Sequence, residues 1–485
     1  MSTARARRIL GPFNRVEGDL EVQVEVEDGI ITRAWVNSPL FRGFEQMLHG
    51  KVPQDALVYT PRICGICSIS QSVAAAQALA ECQGITPQAN GELATNLILA
   101  TENLADHLTH FYLFFMPDFA RDTYRQRNWF SEIQPRFKAQ SGQAASAVLK
   151  ARAEFLHITG LLAGKWPHSL AIQPGGTTRP LEGQEKVRLL THIHSFRAFL
   201  EQTLFGGELE QVAELNDEDA LRQWTEQHPQ ADFSRFLMLA DDLALHDSGR
   251  ASDNFLSYGA YRQDNKHFFR RGVWHNGKAA DFDPAQIRED VSHSWMGVQN
   301  EPKHPFQGST IADNDETHGY SWCKAPRLDG QVMEVGALAR QVVDGQPLIR
   351  QLVQQNGGNV RNRVIARLLE LARVVPQMEQ WARQLQPREA FCHSRPMPEE
   401  AQGAGLVEAA RGSLGHWLRI QNGHILNYQI IAPTTWNFSP RDGGERPGAL
   451  ELALEGTPVG DESHVPVAIQ HIIRSFDPCM VCTVH

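Results

Sequence analysis

Excess positive charge is missing from this chain. Its formal net charge is −10, which argues against broad affinity for nucleic acid or an anionic lipid surface, because both need a basic footprint. Long apolar runs are missing too: none reaches the roughly 18 residues that a membrane span requires. At the N-terminus Arg5, Arg7 and Arg8 lead into Ile9, Leu10, Gly11 and Pro12, which lack the apolar core of a secretory signal, so a cytoplasmic location is expected. Repeats, low-complexity tracts and obvious linkers are absent, and a single domain over residues 1–485 is expected, long enough to bury a large core. Cysteine is scarce, and seven is an odd count that does not describe a disulfide framework.

What cysteine there is falls mostly into two Cys-x-x-Cys pairs at opposite ends of the chain. Cys64 and Cys67 stand in Pro-Arg-Ile-Cys-Gly-Ile-Cys-Ser, and Cys479 and Cys482 in Asp-Pro-Cys-Met-Val-Cys-Thr-Val-His, where the last residue, His485, adds a nitrogen donor. Two thiols so spaced can chelate one ion from a single turn, and their softness favours zinc, nickel, iron–sulfur clusters or copper(I) over magnesium or calcium. Alone, four cysteines would favour a structural zinc site that staples the chain ends together. Zinc ribbons, however, usually join their pairs across about 15 to 20 residues, and here nearly the whole chain separates them. The isolated Cys82, Cys323 and Cys392 are expected as buried small apolar residues.

Leu20, Val22, Val24 and Val26 alternate with polar residues, and Asp28-Gly29 then leads into Ile30, Ile31 and Trp35, which reads as a β-hairpin. Ile69, Val73, Ala76 and Ala80 recur at helical spacing, so the first cysteine pair lies at or just before a helix N-terminus, where the amide dipoles favour a thiolate. A helix buried on more than one side is expected from about Asn90 to Phe115, carrying Asp106, His107 and His110, and another from Arg361 to Leu385. Strand signals are few between Gly272 and Leu328. The expectation is a predominantly helical α+β protein.

Several short segments then carry a resemblance. Asn14-Arg15-Val16-Glu17-Gly18, Phe41-Arg42-Gly43-Phe44-Glu45, Arg62-Ile63-Cys64-Gly65-Ile66-Cys67, Asp106-His107, Tyr320 to Arg327, Arg411-Gly412, Pro433-Thr434-Thr435-Trp436-Asn437 and Asp477-Pro478-Cys479 through His485 together resemble the large, catalytic subunit of nickel–iron hydrogenases. The resemblance implies a central helix bundle with small antiparallel β elements. Splitting dihydrogen heterolytically needs an electron-poor metal and a nearby base. The resemblance further implies that Cys64 and Cys479 bind nickel terminally, that Cys67 and Cys482 bridge nickel to an iron carrying carbon monoxide and two cyanides, and that Cys479 takes the first proton. Glu17 becomes the proton gate. Arg411 and Thr434 donate to the cyanides, with Ala410 and Leu414 beside them, and Asp106 and Asp477 hold the guanidinium over the metals. Glu45, His485 and the backbone carbonyl near Ile430 correspond to ligands of a magnesium ion. No cysteine pattern remains for iron–sulfur clusters, so the resemblance implies an iron–sulfur small subunit, a heterodimer, and room for a dimer of heterodimers.

The chain stops at His485, where standard family members are made with a removable tail, and two residues that line the family's gas path are enlarged: Ile66 where most carry Val, and Phe114 where most carry Leu. A narrowed path hinders dioxygen more than dihydrogen, whereas a compensated core repacking is the bland alternative. Leu113 and Phe115 also stand where the family pattern has further histidines, Asp19 replaces a usual His, and Ala410 a usual Pro. The favoured expectation is an oxygen-tolerant hydrogen sensor of low turnover that signals to a histidine kinase. A respiratory or cytoplasmic uptake enzyme is the alternative, and a non-enzymatic complex I-like subunit is a third, disfavoured because that class has lost the cysteines kept here.

Overall fold

The computed structural model describes residues 6–313, 319–459 and 466–485. Strands β1 (Ala6–Leu10), β2 (Glu21–Glu27) and β3 (Ile30–Asn37) form an antiparallel sheet. The hairpin expected from the alternation is there: Val22 lies opposite Val36 and Val24 opposite Ala34, all fully buried. Asp28 and Gly29 make its turn at φ 52° and 76°, the left-handed pair that matches strand twist.

Helix α1 (Ser68–Gln83) starts directly after Cys67, and α2 (Ala89–Thr109) runs on into a π-helical turn at His110–Phe115. Both agree with the periodicity. Helix α3 (Ala337–Asp344) packs against α4 (Val360–Gln384), which lies along α2 at the centre of the molecule, and α5 (Val467–Phe476) delivers the second cysteine pair. One apolar cluster extends from Leu10 to Cys482. The result is the helical α+β architecture that was expected, with small antiparallel sheets around central helices.

Three features differ from the sequence reading. Strands β4 (Ala401–Ala409), β5 (Gly412–Gln421) and β6 (His424–Ile431) build an antiparallel sheet that the pattern did not announce. Alanine and glycine dominate β4, a poor composition for a strand, and the reason is close packing. A Cβ at Gly405 would stand 1.8 Å from the carbonyl oxygen of Ala74, and one at Gly403 2.3 Å from that of Ala78. The strand can approach α1 only because it lacks side chains there. Short strands also occupy Gly272–His275, Lys278–Ala280, Ile287–Asp290 and Ala325–Leu328; each is too short to show a period. Finally, Cys323 is buried as expected, but Cys82 and Cys392 are only half-buried.

Candidate metal centre

The two ends of the chain meet at four sulfurs. Cys64 Sγ lies 3.5 Å from Cys479 Sγ, Cys67 Sγ 3.2 Å from Cys482 Sγ, and Cys479 Sγ 3.0 Å from Cys482 Sγ. None is in a disulfide, and all four are buried within 4.8 Å of one another. Local structure sets the spacing. Cys67 caps α1, its carbonyl accepting from Gln71 N–H at 3.2 Å, while Ile66 N–H points at Cys64 Sγ from 3.3 Å. Cys482 closes a 3-10 turn whose N–H donates to the carbonyl of Cys479 at 3.0 Å. Contacts from the other thiols draw Cys64 well below the usual thiol range; the same contacts push Cys67 up, and burial pushes Cys482 up. Four thiolates cannot stay ionised together in a dry pocket without a cation. An all-sulfur donor set suits a soft transition metal.

The turn between β4 and β5 presents Arg411 to this site. Its Nη1 donates to Asp106 Oδ2 at 2.6 Å, its Nη2 to Asp477 Oδ1 at 3.2 Å and its Nε to the Asp477 carbonyl at 2.9 Å. Burial works against ionising Asp477, but Arg411, His110, Arg367 and His107 together more than offset it and hold the carboxyl below its usual range. Asp477 itself adopts φ 56° and ends α5, which turns Pro478 and Cys479 inward. Thr434 Oγ1 accepts from Cys479 N–H at 3.1 Å, so its own proton remains available to a ligand in the pocket. Ala410 and Leu414 are buried on the same hairpin.

Glu17 is joined to the second cysteine loop through its backbone. Met480 N–H donates to its carbonyl at 2.7 Å, and its own N–H reaches the Pro478 carbonyl at 3.4 Å. Its half-buried carboxyl is pushed up by burial and then by Cys64, with Arg411 opposing. Two residues earlier Arg15, at φ 55°, donates to the Phe114 carbonyl at 3.1 Å and pairs with the fully buried Asp118. Ile66 and Phe114 are both half-buried. The first adjoins the thiols, and the second is tied through Arg15 to the Glu17 loop.

Glu45, His485 and Ile430 also come together. Glu45 Oε1 accepts from Ile430 N–H at 2.6 Å, its Oε2 accepts from the Thr310 hydroxyl, and burial pushes its carboxyl up to about 7 with Lys324 opposing. His485 is buried with Nε2 unpartnered, as is Oε1 of the neighbouring Glu289. A cavity of about 10 Å³ lies between them, room for about one water-sized occupant. Two orphaned polar atoms facing one small cavity fit a bound cation. Lys324, 3.3 Å from Glu289 and 2.8 Å from Gln429 Oε1, shares this site and was not picked out as a functional residue, although the Tyr320–Arg327 motif contains it. By contrast, a cleft of about 850 Å³ borders Ala80, Ile85 and Arg271 at the far end of α1 and touches none of the four cysteines.

This geometry defines a buried four-thiol site of the kind that can hold a soft metal ion. The sequence model described as nickel-dependent hydrogenase matches residues 42–123 and 146–485, and the chain belongs to that family. It is 28% identical over 517 residues to the periplasmic NiFeSe hydrogenase large subunit of Desulfomicrobium baculatum, covering 98% of this chain and 94% of that one. It is 26% identical to the hydrogenase-2 large chain of Escherichia coli K12 (99% and 97% covered) and 28% to the uptake hydrogenase large subunit of Rhizobium leguminosarum bv. viciae (99% and 95%). The H2-activated NiFeSe hydrogenase structure from D. baculatum superposes with a TM-score of 0.86 at 28% identity over 99% of this chain and 100% of that one. The particular member is therefore a hydrogenase large subunit, and its chemistry is dihydrogen activation at a nickel–iron site. Among the described residues no helix is long and apolar enough to cross a membrane.

Proposed function

We propose that this large subunit, one domain over residues 1–485, is the slow, oxygen-tolerant, hydrogen-sensing kind, resident in the cytoplasm and relaying its state to a histidine kinase. The metal pair, its iron carrying carbon monoxide and two cyanides, supplies heterolytic cleavage of dihydrogen. The four cysteines, Cys64, Cys67, Cys479 and Cys482, would hold it. Cys479 accepts the proton, Glu17 carries it away, Arg411 and Thr434 orient the diatomic ligands between Ala410 and Leu414, and Asp106 and Asp477 fix the guanidinium. Glu45, His485 and Ile430 would hold magnesium. Electrons leave to clusters in an iron–sulfur small subunit, in a heterodimer that can pair again.

The observation that supports the sensor reading is the joint enlargement of Ile66 and Phe114, one beside the thiols and one on the π-helical turn that Arg15 ties to the Glu17 loop. The uptake alternative is favoured by the names of several relatives, which are uptake hydrogenase large subunits. Replacing Ile66→Val with Phe114→Leu separates the two. The double variant should lose hydrogen oxidation progressively in air while the parent does not, with metal content and anaerobic activity shown to survive the cavity left behind. Full activity of the variant after prolonged air exposure would remove channel width as the basis of tolerance, and with it the main support for a sensor.

A further inference from the structure

We propose that Arg42 is a positioning residue that latches the two cysteine loops together and sets how firmly the centre retains its metals. The inference rests on reading the four thiols as the metal site. Arg42 Nη2 donates to the Ile63 carbonyl at 2.6 Å and also to the Val481 carbonyl. Ile63 immediately precedes Cys64, and Val481 immediately precedes Cys482. One amino group, with two N–H bonds to give, thus spans peptides adjoining a ligand from each end of the chain. The guanidinium carbon sits 5.0 Å over the Phe44 ring, which restricts its swing. Gly43, at φ 69°, lets the chain turn between Arg42 and the short helix Phe44–Leu48 that carries Glu45.

Each cysteine pair keeps its own local geometry without Arg42, the first from the start of α1 and the second from its 3-10 turn. The distance between pairs has weaker support. Met480 N–H to Glu17, Cys479 N–H to Thr434 and Thr435 Oγ1 to the Thr483 carbonyl all bind the terminal loop to other segments, not to the Cys64 loop. Charged donors make the stronger bonds to carbonyls. Arg42 therefore governs whether the terminal loop stays closed over the site.

The test uses the purified heterodimer with R42M and R42K. Nickel and iron per protein, the rate of nickel loss to EDTA, and amide hydrogen exchange in the peptide covering residues 477–485 are read alongside the parent. R42M should lose nickel about 10- to 100-fold faster, the usual consequence of removing a residue that orients metal ligands, with faster exchange confined to the terminal peptide. R42K, a point charge on a flexible stem that reaches one carbonyl at a time, should fall between. Parental retention and exchange in R42M overturn the latch; if R42M does not fold, parental values in R42K do the same. A parent holding zinc instead would sink the nickel–iron reading, and the same retention comparison made with zinc would still decide the latch.

Discussion

Two buried charged clusters meet at the turn between β4 and β5, and they are finished to different degrees. In the first, Arg340 spends all five N–H bonds: Nε and Nη2 on Glu370 at 3.0 and 2.9 Å, Nη1 on Glu408 at 2.8 Å, and one each on the carbonyls of Ala409 (2.8 Å) and Ala410 (3.0 Å). His107 adds a contact to Glu370 at 3.2 Å. In the second, Arg411 spends four of its five N–H bonds and keeps one on Nη1, Asp477 Oδ2 has no partner, and four thiols crowd together. In the first, closed cluster the guanidinium is saturated and acts as scaffold, although the buried Nδ1 of His107 has no partner. The open one has a spare N–H on Arg411, an orphaned carboxylate oxygen and four thiols, which is how a buried polar site looks when it is built around something else.

Breaking the closed cluster should produce the largest effect. Arg340→Met strands Glu370 and Glu408 and should cost about 3 to 5 kcal/mol of stability, read by denaturant unfolding. The pH sign follows from Glu370. Burial opposes its ionisation, but Arg340, with His107 beside it, outweighs that and holds it down to about 2. Its contribution is therefore full above the ordinary glutamate range and lost as pH falls toward 2. Arg340→Met should flatten that acid limb; an unchanged one would place the stabilisation elsewhere.

Arg411→Lys keeps a charge in the open cluster but loses the fork that spans two carboxylates. Hydrogen oxidation should fall by about 100- to 1,000-fold, the scale for one preorganised donor, with metal content retained. Activity close to the parent would mean that the open cluster is scaffold after all. Glu17→Gln keeps shape and removes the exchangeable proton, so hydrogen–deuterium exchange should drop by about a hundredfold without metal loss. Exchange at the parental rate would assign the proton to another route.

Much of the open site was legible in the sequence and little of the closed one. Glu17, the cysteines, Arg411, Asp477 and His485 lie in contiguous motifs, so each announces itself with its neighbours. Arg340, Glu370 and Glu408 are single charges on regular elements, and such residues ordinarily read as solvated faces. Their pairing spans 30 and 68 residues and exists only once α3, α4 and β4 have packed. The same holds for Asp118, whose partners Arg15 and Arg474 come from opposite ends of the chain. Helices α1, α2 and α4 were legible from periodicity. Strand β4 was not, because its glycines serve contact with α1 and carry no alternation.

The central claim is that the four thiols at the junction of the chain ends hold a nickel–iron centre. Metal analysis of the purified heterodimer, joined to infrared spectroscopy, tests it directly. The account predicts close to equimolar nickel, iron in excess of it, and bands from carbon monoxide and cyanide. Zinc alone, with no such bands, would contradict it and restore a structural staple between the chain ends.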